Sequence, residues 1–299
     1  MIALIAAYAS NRVIGAGGKI PWHIKGEQPR FKDLTTGNVV ILGRHSFAEI
    51  GKPLPGRETI VISTSQTYTG ENCRTCRSLP EALALCREKD VYISGGAGLY
   101  EEAIGLVDKM YITEIDLVPE GDTYFPDFNK ELFVRQVEKE VQGRIPYKYV
   151  TYVSIEKLIE CLYSKDHNRA HQCLLTLERE SARSDKVYHW FDRFSEMSKG
   201  QATYIRIRGL RLIAANARWD KDNKIDEIID GCLKHIVDVK PIAARQFIAV
   251  LPEIARYKVE LRSDIIRALQ NADIGKYNQN MQPLVYKDIL AALAQIERG

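Results

Sequence analysis

The chain has 299 residues, 45% hydrophobic and 27% charged, with a formal net charge of +3. That length and composition exclude disorder and a disulfide scaffold and allow one or two cores of about 150 residues each. So small a net charge gives no ground for binding nucleic acid or an anionic membrane.

The six cysteines, Cys73, Cys76, Cys86, Cys161, Cys173 and Cys232, are few and unevenly spaced, which suits reduced thiols in a cytosol. No apolar run approaches the roughly 20 residues of a membrane helix, and the opening MIALIAAYAS lacks the basic head of a secretory signal. The expectation is a soluble, unexported, cytoplasmic protein.

Residues 1–153 hold 23 of the 31 glycines and prolines and carry 18 Lys+Arg against 19 Asp+Glu, whereas the remainder carries 24 against 20. The shift predicts two domains, 1–153 and 154–299. In chain order, IALIAAY, NVVILG, TIVIST, VYISGG, KMYITEI, LFVRQVEKEV and YKYVTYVS are short, β-branched and bounded by turn residues, so they read as strands. The first four are apolar on both faces, as parallel strands covered by helices would be, and the last two alternate as an antiparallel edge hairpin does. Helix-length pieces fall at about 27–35, 44–50, 79–88 and 97–106. Together these predict a mostly parallel mixed sheet with flanking helices, an α/β domain.

After Ser154 the period becomes 3.6, as in Ile155, Leu158, Ile159 and Leu162, and again in Ile225, Ile229, Leu233 and Ile236. Ser154, Asp185, Pro241 and Pro283 mark helix starts. About eight helices of 10–17 residues are expected, in an all-α array of HEAT or armadillo type.

Two strands end in glycine immediately before a helix, at Gly43 and at Gly95, Gly96 and Gly98. Such junctions expose unpaired first-turn amides and form anion sites, although tight turns use glycine equally. Arg44 and His45 open one of these helices, and Ser63 and Thr64 close the next strand. An arginine there selects a 2′-phosphate, or is simply solvated. In IPWHIKGEQPRFKDLT, Glu27 stands in a first helical turn beside Trp22, Ile24 and Phe31; it either complements the helix dipole or grips a ligand amidine from a buried position.

These motifs, with MIALIAAYASNRVIG, GRHSFAEIGKPLPGR, YITEID and GDTYFPD in order and spacing, closely resemble dihydrofolate reductase along residues 1–153. The resemblance implies NADPH-dependent reduction of 7,8-dihydrofolate to 5,6,7,8-tetrahydrofolate, in one-carbon metabolism. It assigns catalytic positions to Glu27, the pocket carboxylate on the pterin, to Thr113 supporting it, and to Ile20 and Trp22 on a mobile loop. Ile5, Ala7, Phe31 and Ile50 would line the substrate pocket, and Arg57 would pair with the substrate's α-carboxylate. Gly43, Arg44, His45, Ser46, Ser63 and Thr64 would hold the adenosine side of the cofactor. Ala7, Ile14, Gly95, Gly96, Ala97, Gly98, Leu99 and Tyr100 would follow its remainder, with Gly95–Gly96 matching a cis pair. Gln28, Phe47, Ser94 and Ala97 depart from the residues many relatives carry. A riboflavin-pathway reductase of the same fold is the alternative, and Glu27 with Arg57 favours folate.

Cys73-x-x-Cys76 lies in a loop-like stretch with no second pair at metal spacing, and His167, His171, Cys161 and Cys173 read as ordinary helix-surface residues, so no metal is expected. Arg208, Arg211 and Arg218 share one side of a helical wheel and read as a solvated face, with nucleic acid the lesser alternative. A protein partner of the helical domain is the expected use of its surface, and a macromolecule-binding array with an appended reductase is the competing reading of the whole chain.

Overall fold

The computed structural model describes residues 1–86 and 88–298. By internal contacts the chain divides into two units, Met1–Lys157 and Leu158–Gly299.

The first unit is built on β1 (Ile2–Ala9), β2 (Val13–Gly15), α1 (Glu27–Thr35), β3 (Val39–Gly43), α2 (Arg44–Ile50), β4 (Glu58–Ile62), β5 (Cys73–Cys76), α3 (Leu79–Ala84), β6 (Val91–Ile93), α4 (Ala97–Ala103), β7 (Lys109–Ile115), β8 (Thr123–Tyr124), β9 (Phe133–Val141) and β10 (Tyr147–Ser154). Eight strands form one sheet in the order β5-β4-β3-β6-β1-β7-β10-β9. Pairings from β5 to β7 are parallel, and β10 joins β7 and β9 antiparallel.

The doubly apolar strands bury both faces, as their composition requires. Along β1, Leu4, Ala6 and Tyr8 enter one core with Ile41, Ile93 and Met110, while Ala3 and Ile5 enter another with Tyr92. Phe31 joins the second face from α1, beside Ile5 and beside Val40 and Leu42 of β3.

Three short strands, β2, β5 and β8, were not legible in the pattern. The Cys73–Cys76 stretch, expected as loop, is the edge strand β5, hydrogen-bonded to β4. Its three-residue spacing directs the two side chains to opposite faces; Cys73 packs with Val61 and Phe47, Cys76 with Ile60 and Leu79. The helix expected over 79–88 is regular only through Ala84 and that over 97–106 only through Ala103; Arg87 lies outside the described residues.

The second unit is helical, with α5 (Ile155–Cys161) leading in from β10, followed by α6 (His167–Ser181), α7 (Phe191–Ser198), α8 (Thr203–Ala215), α9 (Lys224–Leu233), α10 (Pro241–Ile248), α11 (Leu251–Tyr257), α12 (Arg262–Gln270) and α13 (Gln282–Arg298). Several are shorter than the expected 10–17 residues. Pro252, in the first turn of α11, has no backbone N–H to donate to the Ile248 carbonyl, so α10 does not run on through it. Asp185 precedes a 3-10 turn over Lys186–Trp190 instead of opening an α-helix, whereas the Ser154 hydroxyl accepts the Lys157 amide as a cap. Phe191, Phe194, Phe247, Leu251 and Ile254 form buried parts of this unit.

Of the arginines expected on a solvated face, Arg218 is exposed, whereas Arg208 and Arg211 are used internally. Arg208 is 6% exposed and donates to the Leu162 carbonyl, and Arg211 forms two 2.8 Å bonds to the Glu178 carboxylate. Arg218 lies beyond the end of α8, stacked on Trp219 and donating to the Ala182 carbonyl. Helical spacing reports which side chains share a side, and neighbouring helices decide whether that side is wet. No helix among the described residues is long and apolar enough to cross a membrane.

Candidate active site

α1 begins at Glu27, directly after Gly26, which is packed against two tyrosine hydroxyls. A Cβ on Gly26 would lie 2.6 Å from the Tyr149 hydroxyl and 2.9 Å from that of Tyr147. Glu27 is set against the sheet beside Thr113 of β7, whose register neighbours are Ala7 and Tyr149. The Thr113 hydroxyl, 1% exposed, donates to Glu27 Oε1 at 2.6 Å. Burial pushes the Glu27 carboxyl above its ordinary range, while the Thr113 hydrogen bond and the Arg30 charge oppose that shift without cancelling it. Arg30 is fixed in turn, 4.3 Å over the Tyr149 ring and 3.1 Å from Glu138.

A cleft of about 1620 Å³ opens beside this pair. Ala7, Ile14, Ile20, Trp22, Phe31, Ile50 and Arg57 line it, as do Gly43, Arg44, His45, Ser46 and the run Gly95–Tyr100. Glu27 and Thr113 are not part of the lining, but their neighbours Gln28 and Ala7 are. Ile5 is buried in the core, and its carbonyl accepts the Tyr100 hydroxyl at 2.9 Å. Ser63 and Thr64 are not brought to the cleft lining. The Ser63 hydroxyl instead accepts the amides of Ser65 and Gln66, closing the turn after β4.

The guanidinium of Arg57 spends donors on the Pro55 carbonyl at 3.0 Å and on Thr35 Oγ1 at 3.1 Å, and it sits over the Phe31 ring. Burial lowers its pKa, and an arginine retains its charge under such a shift. Lys32, one turn along α1, adds a second cation to the same cleft.

At the opposite end the ends of β3 and β6 approach closely. The Gly43 amide donates to the Gly95 carbonyl at 2.7 Å, and a Cβ on Gly43 would meet the Gly96 nitrogen at 3.2 Å. The Gly95–Gly96 peptide is cis, and Gly95 has φ of +122°. Ser94, whose hydroxyl is buried with no hydrogen-bond partner, joins the lining here. Arg44 Nη2 lies 2.8 Å from His45 Nε2, so one guanidinium and one imidazole flank the glycine rim. Side-chain-free backbone, an orphaned hydroxyl and an adjacent arginine fit a phosphate-bearing dinucleotide.

Sequence reasoning missed the tether on the loop that carries Ile20 and Trp22. Gly17 and Gly18 have positive φ, and the Gly17 amide donates to Asp122 Oδ2 at 2.8 Å. That bond and the Thr123 hydroxyl hold the Asp122 carboxyl below its ordinary range. The two residues are 105 apart, and only the glycine pair hinted at a special turn. Among the described residues no group of three or more His, Cys, Asp or Glu side chains is placed to hold a metal ion.

Residues 1–154 match the family model for dihydrofolate reductase. Dihydrofolate reductase type 3 of Salmonella typhimurium is 43% identical over 129 residues, 43% of this chain and 80% of that protein. The dihydrofolate reductase of Neisseria gonorrhoeae is 41% identical over 159 residues, 52% of this chain and 97% of that protein. A solved structure of dihydrofolate reductase from Enterococcus faecalis complexed with NADP(H) and RAB-propyl is 32% identical, covers 52% of this chain and 96% of its own, and aligns with a TM-score of 0.49. The chain belongs to the dihydrofolate reductase family, and its N-terminal half is an oxidoreductase of that family.

Proposed function

We propose that the part-buried Glu27–Thr113 pair anchors the pterin ring of 7,8-dihydrofolate during its reduction to 5,6,7,8-tetrahydrofolate, and that this pair is the observation on which the residue assignment rests. An ionised carboxylate at the edge of an apolar cleft matches a flat ring edge carrying an amino group and an adjacent ring N–H, by two parallel charge-assisted bonds. Phe31 presents its ring as a packing surface, and Ile50 and Leu54 bound the same region. Arg57 and Lys32 supply positive charge for the carboxylates of the substrate's glutamate tail.

NADPH, when bound, supplies the hydride. Gly43, Gly95, Gly96 and Ser94 would hold its diphosphate, and Arg44 with His45 would hold the 2′-phosphate. Ile20 and Trp22, on the loop tethered by Asp122, exclude water from the reacting rings, so the rate comes chiefly from orientation and a dry, charged site. Glu27 sets the local electrostatics, and water delivers the proton that the pterin N5 gains.

The helical unit is assigned a HEAT-like interaction or stabilising role with a protein partner. Its own buried aromatic and aliphatic residues support an independent core. The experiment compares NADPH oxidation by the whole chain, by residues 1–157 and by Glu27→Gln. Residues 1–157 should retain turnover, and Glu27→Gln should lower turnover at pH 7 by about 100-fold or more, the effect of removing one key charge from such a site. Near-normal turnover by Glu27→Gln would refute the assignment of Glu27. A folded 1–157 fragment with turnover reduced tenfold or more would refute the separation of roles.

A further inference from the structure

In the helical unit, the Sγ atoms of Cys161 and Cys173 lie 2.8 Å apart. Cys161 is the last residue of α5, and Cys173 stands in the second turn of α6, so a short connection folds the chain back on itself at this point. Both residues are partly exposed. Arg208 of α8 reaches the same place, donating to the Leu162 carbonyl and, at 3.3 Å, to His167 Nδ1, with its guanidinium over the Tyr204 ring. Burial lowers the pKa of that guanidinium, against the smaller opposing influence of Tyr204, Cys161 and Cys173. We propose that Cys161 and Cys173 form a dithiol site for two-electron oxidation by low-molecular-weight disulfides.

The sulfurs are already within about 1 Å of the covalent length of about 2.05 Å, so ring closure needs little backbone movement. The thiolate is the form that attacks. In the first step one thiolate, having lost its proton to water, attacks a sulfur of the disulfide RSSR. A protein–S–S–R bond forms, the RS–SR bond breaks, and RS⁻ leaves and is protonated. In the second step the other cysteine, again as thiolate, attacks the protein-side sulfur, forms Cys161–Cys173 and expels the second RS⁻. Two cysteine thiols are oxidised, and one RSSR is reduced to two RSH.

The other cysteines are set apart by their surroundings. Cys73, Cys76 and Cys232 are buried, and Cys73 and Cys76 face opposite sides of β5. Burial raises all three thiols and pushes Cys232 up to about 11, and it also raises Cys86. Only at Cys161 and Cys173 do two partly exposed sulfurs meet, among the described residues.

The test equilibrates the reduced full chain with a series of oxidised-to-reduced glutathione ratios under native conditions. Each sample is quenched with acid, its thiols are blocked, and it is digested without reduction for mass analysis. The expected result is a Cys161–Cys173 cross-linked peptide lighter by two hydrogens than its parts, with two of the six thiols lost. Cys161→Ala and Cys173→Ala, each checked for native circular dichroism, should stop at a glutathione adduct on the remaining cysteine. If one variant fails to fold, the other and the parent chain still decide the matter. Two unmodified thiols at the most oxidising ratio, separate glutathione adducts on both in the parent chain, or cross-links through other cysteines would each overturn the proposal.

Discussion

Replacing Thr113 by valine removes one hydroxyl and nearly nothing else, because the side chain is 1% exposed and valine reproduces its branching. The bond lost is the 2.6 Å contact to Glu27 Oε1. A hydrogen bond to a charged group contributes about 1.5–3 kcal/mol, which corresponds to a fall of about 10- to 150-fold in kcat/KM if the contact is needed to position the carboxylate in the transition state. The hydroxyl also opposes the upward pull of burial on the Glu27 carboxyl. Its loss leaves burial less opposed, so the carboxyl titrates at still higher pH. The acid limb of kcat/KM, where Glu27 gains its proton and loses its grip on the pterin, therefore moves upward. Steady-state NADPH oxidation from pH 5 to 9 measures both effects, and fluorescence titration measures NADPH affinity separately. Thr113→Ser retains the hydroxyl and should stay close to the parent. A Thr113→Val enzyme with unaltered kcat/KM and an unmoved acid limb would refute the proposition that this bond sets the state of Glu27.

Arg44→Ala should weaken NADPH by about 10- to 150-fold relative to NADH, the range for one charge-assisted contact to the 2′-phosphate; equal loss for both cofactors, measured by titration, would move the phosphate site away from Arg44. In the helical unit, Lys258 is buried with Nζ 2.7 Å from Asp226, 3.1 Å from Glu260 and 3.3 Å from the fully buried Asp220. Lys258→Met should lower stability by about 3–5 kcal/mol, because it removes the ammonium that lies against the buried Asp220 carboxylate. Glu260→Gln, at the exposed end of the network, should change stability by about 1 kcal/mol or less. Urea unfolding of the two variants checks the contrast, and similar losses in both would refute it.

The local signals in the chain determined a great deal. Apolar runs of β1, β3, β4 and β6 announced strands buried on both faces, since a run without polar alternation has no face to offer water. The change of period after Ser154 announced the helical unit. Glycines at 43, 95 and 96 marked the junctions where strands run into helix starts with side-chain-free backbone, the pattern read as anion sites. Glu27 and Thr113 could be named from motif positions.

Tertiary structure alone decided what those groups touch. Glu27 and Thr113 are 86 residues apart, and Gly17 and Asp122 are 105 apart; such contacts leave no periodic trace in either segment. The strands β2, β5 and β8 are two to four residues long, too short to display a period, and exist because a neighbouring edge supplies their hydrogen bonds. Ser63 had the right residue type and position for an anion but turned to its own loop, since a nearby backbone amide competes effectively for a serine hydroxyl. Arg208 and Arg211 share a helical side that looked wet in projection. The Leu162 carbonyl and the Glu178 carboxylate, brought there by other helices, made it an interior one.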